Sequence, residues 1–160
     1  MEVLELYVKP FVNSTLETFK SFIGFELVAG HPHFLGRITD SEYDISAVIG
    51  LSGDVRGAVV ISMNKDFATK IVDALVGPKY TDMEDDITDA IGEIVNIIAG
   101  NIKQYVQGGE KIAISLPTVI KGKAHSFSWP GKNSRILCIP FKHGDNSLYL
   151  LADMEKAAIT

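Results

Sequence analysis

Within the stretch DAIGEIVNIIAGNIKQYV, residues 89–106, a carboxylate and an amide stand three positions apart, as Glu93 and Asn96. In an α-helix each residue advances about 100° around the axis, so positions three apart share one face. The carboxylate offers a charge that can pair with a cation. The amide donates and accepts hydrogen bonds but does not titrate near neutral pH, so it cannot be a general base in the usual sense. On the same wheel Asp82, Asp86, Asp89, Gly100 and Gln104 fall near Glu93, while Ile87, Ile91, Ile94, Val95, Ile98, Ile102, Tyr105 and Val106 gather opposite. The stretch therefore predicts an amphipathic helix whose wet face is polar throughout. Spacing alone does not separate a working pair from solvated residues, because charged and amide side chains fill such faces routinely.

The remaining chemistry-bearing residues form no familiar motif. The chain contains no G-x-x-x-x-G-K-[ST] phosphate loop, no G-x-S-x-G elbow, no H-E-x-x-H zinc pair and no C-x-x-C. His31 and His33 flank a proline and read as loop residues, since a metal site needs further ligands that the sequence does not visibly supply. Trp129, before a Pro-Gly pair, reads as packing against a sheet edge, and His125 and His143 have no partner inferable from sequence. The single cysteine, Cys138, lies in the alternating run RILCIPF and reads as a small buried hydrophobe. A formal charge of −5 argues against a nucleic-acid surface, which requires a concentrated basic patch. No apolar run of about 18 residues predicts a membrane span, and the start MEVLELYVKP lacks a secretion signal's basic and apolar regions, so a cytoplasmic address is expected.

With 160 residues, 46% apolar and 22% charged, the chain fits a single domain, 1–160, with an ample core. A first helix is predicted at residues 10–23, opened by Pro10 and closed by Gly24, packing Phe11, Leu16, Phe19 and Phe22 inward. Extended stretches follow at 35–38, 44–51 and 57–63, the last two joined as a hairpin through SGDVRG. Residues 66–76 have helical periodicity that Gly77-Pro78 ends. The longest helix is predicted at 83–107, with Asp82, Glu84, Asp85 and Asp86 at its start, where acids favour the positive helix end, and Gly108-Gly109 as its stop. Strand signals at 111–116, 118–120, 124–128, 135–141 and 148–152 complete the chain.

A faint internal repeat runs through this order. Glu17, Lys20 and Gly24 of the first helix share the spacing of Glu93, Asn96 and Gly100. The stretch GDVRGAVVISMNK from Gly53 resembles GDNSLYLLADMEK from Gly144 in its Gly-Asp pair, apolar centre and Met-x-Lys ending. Two such halves predict an α+β fold: a two-layer sandwich of a largely antiparallel sheet with two long helices on one face.

The pattern Asp89, Glu93, Asn96 and Gly100 in DAIGEIVNIIAG closely resembles the signature helix of the CheC, CheX and FliY family of chemotaxis phosphatases. VIGLSGDVRGAVVISM with the following KDFATKIVDALVG, and ISLPTVIKG after the long helix, are similar to the CheX hairpin, helix and succeeding segment, so the likeness covers essentially the whole chain. One Glu-x-x-Asn is present. The matching place in the first helix reads Glu17-Thr18-Phe19-Lys20, without the asparagine that two-site members carry, which makes CheX the most similar branch.

The resemblance implies a CheC-like fold, a homodimer joined through its sheets, and dephosphorylation of CheY or a related receiver domain. It implies no cofactor for this chain, with magnesium on the partner receiver. As that resemblance has it, Asn96 orients the attacking water and Glu93 docks on the receiver's active-site lysine, which makes these two the candidate catalytic residues. Gly92 and Gly100 would leave room for the partner, Ile97 would add an apolar contact, and Asp86 and Asp89 would attract a cationic rim or simply pair with the helix N-terminus. The alternatives are a non-catalytic receiver-binding or flagellar-component adaptor of the same fold, and a regulator binding another ligand in the sheet-helix groove.

Overall fold

The computed structural model describes residues 3–36, 38–40, 43–77, 83–105, 111–123, 125–129 and 135–156. Helix α1 spans Val3–Thr18 and continues into a π-helical turn, Phe19–Ile23, which Gly24 ends in the left-handed region at φ 85°. The helix thus begins earlier than residue 10, and Pro10 lies inside it. Tyr7 and Phe11, one turn apart, are both buried, so tertiary packing of an apolar stripe outweighs the interior proline. Phe19 is fully buried, whereas Phe22, expected inside, is 41% exposed, because the wider π turn changes the angular spacing of its side chains.

Short strands β1 (Val28–Ala29), β2 (His33–Leu35) and β3 (Ile38–Asp40) precede the hairpin of β4 (Ile45–Gly53) and β5 (Val55–Met63). Its tight turn needs Gly53, whose φ is 103° and whose missing Cβ makes room for the Lys111 carbonyl. Helix α2 (Lys65–Val76) is capped by Asn64, whose side chain accepts from the Phe67 amide at 2.9 Å. Helix α3 (Met83–Ile102) tightens into a 3₁₀ turn at Lys103–Tyr105. Strands β6 (Ile112–Ile114), β7 (Thr118–Lys121), β8 (Ser126–Ser128), β9 (Ile136–His143) and β10 (Asn146–Lys156) follow. Asp82, Pro78, Val106, Gly108 and Gly109, which carried sequence-based expectations, lie outside the described residues.

The main sheet is antiparallel in the order β1-β9-β10-β5-β4-β6, with β2 also on β9 and β7 also on β4. The β4–β5 and β9–β10 hairpins meet at its centre, where β5 pairs with β10 from Val55↔Lys156 to Met63↔Leu148. Alternate residues such as Ile45, Ala47 and Ile49 of β4 and Leu148, Leu150 and Ala152 of β10 enter one core with all three α-helices. This is the expected α+β sandwich, with α2 joining the two longer helices.

The opposite face carries a smaller apolar cluster of Val60, Trp129, Ile136, Cys138 and Leu151. Val60, Ile136, Cys138 and Leu151 belong to the adjacent strands β5, β9 and β10, and Trp129, just past β8, packs with them, so it lies on the sheet's face and not at its edge. Cys138 is buried as expected, and that burial pushes its thiol up to about 11. Just before β8, His125 accepts from the Ser46 hydroxyl at 2.6 Å through Nε2 while Nδ1 donates to the Gly122 carbonyl at 2.8 Å. Ser62 lies 2.6 Å from Ser46, so the hydroxyls buried at this face are satisfied. His143 stacks on Phe25 at 4.4 Å between ring centroids. Partners for both histidines come from segments distant in the chain, which local spacing does not reveal.

Candidate active site

Helix α3 places Glu93 and Asn96 by burying everything opposite them. Ile87, Ile91, Ile94, Val95, Ile98 and Ile102 are all core residues, each worth about 2 kcal/mol on burial, and together they fix the rotation of the helix. Tyr105, expected with them, is 47% exposed because the closing 3₁₀ turn rotates it off the α-helical stripe. The open face then carries exposed Asp89 and Glu93 and half-buried Asn96, Ile97 and Gly100. Among the described residues neither Glu93 nor Asn96 has a hydrogen-bond or ion-pair partner.

Polar contacts hold the helix at both ends. The Ser14 hydroxyl of α1 donates to the Ile98 carbonyl at 3.1 Å, and Asn101 reaches Thr18 at 3.4 Å. At the other end Glu84 pairs with Lys65 at 2.9 Å and Lys121 at 3.4 Å, and Lys121 also donates to the Glu84 carbonyl at 2.8 Å. The two lysines hold the Glu84 carboxyl below the usual carboxylate range, while Glu84 raises Lys65. Of the early acids, then, Glu84 serves the fold. Asp86 is half-buried, with Oδ2 unpartnered among the described residues, and Asp89 faces solvent.

Alongside Glu93 runs an open groove of about 390 Å³, lined by Thr88, Asp89, Gly92, Glu93, Pro117 and Val119. Gly92 is not an opening for a partner. It is buried, and a Cβ there would touch the Pro117 and Val119 side chains at 3.5 Å. Its bare backbone lets the chain's own segment close against α3 and form the second wall. Nothing lies within 4 Å of a Cβ placed at Gly100, so that glycine does leave the helix surface open. Thr88, Pro117 and Val119 escaped the sequence-based site because contact between α3 and β7 is a tertiary fact. The only pointer to them was the Pro-containing segment after the long helix.

An unpartnered amide beside a carboxylate, on a rigid helix next to an acidic and apolar groove, can engage a cation and position a small polar molecule. The family model "Chemotaxis phosphatase CheX" matches residues 45–142. The CheY-P phosphatase CheX of Thermotoga maritima is 29% identical over 118 residues, which cover 72% of this chain and 76% of that protein. The crystal structure of the chemotaxis protein CheX from Desulfovibrio desulfuricans superposes with a TM-score of 0.84 at 29% identity, covering 94% of this chain and 99% of that one. The Borrelia burgdorferi CheX in a complex with CheY, BeF3 and magnesium shares the fold, with a TM-score of 0.78 at 23% identity over 94% of this chain and 98% of that one. The chain belongs to the CheX family of chemotaxis phosphatases.

Proposed function

We propose that this chain hydrolyses the aspartyl phosphate of CheY or a related receiver domain, with Asn96 orienting the attacking water and Glu93 docking on the receiver's active-site lysine. The observation that carries the reading is the pair itself, accessible and without internal partners among the described residues on a helix otherwise committed to the core. Polar side chains left free on a fixed scaffold are available to a partner at little reorganisation cost.

An acyl phosphate is already activated, and on this reading magnesium belongs to the receiver. What remains is positioning. The Asn96 amide carbonyl accepts a hydrogen bond from one water and aims its oxygen at phosphorus, in line with the bond to the aspartyl oxygen. As the new P–O bond forms, the old one breaks, the aspartate leaves as a carboxylate, and the water's proton passes to phosphate or solvent. Glu93, one turn earlier, forms a charge-assisted pair with the lysine and sets the depth of entry. Loss of such positioning costs on the order of a hundredfold in rate or more.

Asn96→Ala should therefore abolish stimulated phosphate release from a phosphorylated receiver. Its folding stability should change by no more than about 0.5 kcal/mol, as for surface substitutions away from a cap or network. Normal phosphate release by this variant, followed in a single-turnover assay, would remove Asn96 from the mechanism. The same reading includes a single domain built from two half-repeats, supported by the pairing of the two hairpins through β5 and β10. It also includes a homodimer, which sedimentation at micromolar concentration tests directly.

A further inference from the structure

The edge strand beside β4 is interrupted where it passes the groove. Strand β6 pairs as far as Leu51↔Ile114 and β7 resumes at Val48↔Thr118, so Ile49 and Gly50 of β4 oppose three residues, Ser115, Leu116 and Pro117. This is a bulge with one extra residue. It is pinned at three points: the Ser115 amide donates to the Gly50 carbonyl at 2.9 Å, the Gly50 amide donates to the Ser115 hydroxyl at 2.8 Å, and that hydroxyl donates to the Leu116 carbonyl at 3.0 Å. On one side of the bulge Pro117 packs over Gly92 and walls the groove. At its tip Leu116 is 88% exposed.

A lone exposed leucine on a mobile loop needs no explanation. Here a specific hydrogen-bonded irregularity holds one at the rim of the groove that contains Glu93. We infer that Leu116 is an apolar docking anchor for the lysine-bearing face of the phosphorylated receiver, seating on an apolar patch of the receiver beside its cationic pocket. The inference rests on the function proposed above and adds a residue outside the signature helix. Charge complementarity selects this occupant: Asp89 and Glu93 form the acidic wall, Pro117 and Val119 the apolar one, and an approaching lysine flanked by apolar surface satisfies both. The hydrogen bonds fix the backbone that presents Leu116, so little backbone freedom is lost when it seats on a partner.

The test compares wild type with Leu116→Ser and Leu116→Met, measuring steady-state dephosphorylation of CheY and binding to CheY carrying beryllium fluoride and magnesium. Leu116→Ser should raise KM and Kd roughly tenfold, with kcat within twofold and an unchanged thermal midpoint. Leu116→Met should stay near wild type. If KM and Kd do not move, or if kcat falls alone, the anchor is refuted while the phosphatase reading stands. If Leu116→Ser instead changes only the oligomeric state, the occupant is a second copy of this chain and the inference is equally refuted. Absence of wild-type turnover on phosphorylated receivers is a separate failure, that of the proposed function.

Discussion

At the scale of single residues, the division of labour proposed for Glu93 and Asn96 makes a graded prediction. Glu93 is exposed and Asn96 half-buried, so the carboxylate meets a partner first. Glu93→Ala should weaken binding to a phosphoryl-mimic receiver by about 2 kcal/mol, roughly thirtyfold, as expected when one member of a partly desolvated charge pair is removed. Glu93→Lys should do worse, because it sets like charges together. Titration calorimetry showing equal affinity for wild type and both variants would leave Glu93 as surface decoration. The pair was legible in the sequence because a 3.6-residue period fixes which side chains share a face, and the buried isoleucines set that face outward. Gly92 was misread because the sequence shows a missing side chain but not which segment fills the space. The resemblance implied room for a partner there, but Pro117 and Val119 of the same chain occupy it.

At the scale of elements, the placement of α3 depends on what anchors its first turn. Glu84 bridges Lys65 at the start of α2 and Lys121 at the end of β7. Its folded-state pKa is lowered, so its stabilisation is present above the unfolded carboxylate value of 4.5 and is lost as pH falls through the lower folded value. Lys65 is raised above 10.5, so its part is complete below that value and is lost only as pH rises past the folded one. Glu84→Gln should thus lower the thermal midpoint slightly across the neutral range, with the difference vanishing at acid pH and shrinking in high salt, since exposed pairs are screened. Melting curves from pH 2 to 8 would check this, and a difference that persisted at the acid end would assign the effect to packing. The central strands, α2 and most of α3 were legible from apolar period and turn residues. The start of α1 was not. A proline marks a first helical turn by local preference, and only the burial of Tyr7 and Phe11 in one stripe reveals that the helix runs through it.

At the scale of the whole molecule, two hairpins meet at β5 and β10, and the two longer helices lie over the sheet they form, so the proposed repeat would by itself allow two working faces. The residues and the helix geometry argue against the second. Glu17 accepts from the Ser21 hydroxyl at 2.8 Å, which engages the carboxylate within its own helix. Lys20 occupies the place of Asn96, and an ammonium has no acceptor with which to orient water and is repelled by a cationic receiver pocket. Moreover, α1 gives way to the π turn at Phe19, so Glu17 and Lys20 do not share the regular helical face that Glu93 and Asn96 share. The Gly-Asp pairs and Met-x-Lys endings are what suggest the proposed repeat, whereas the π turn was not legible, because it is a departure from the period on which such readings depend. The double variant Glu17→Ala with Lys20→Ala should keep turnover per chain within about twofold of wild type, with stability changed by less than about 1 kcal/mol, since both side chains are exposed. Rate measurements on phosphorylated CheY decide it: a loss as deep as that of Asn96→Ala would mean that both helices work and that the molecule carries two active faces per chain.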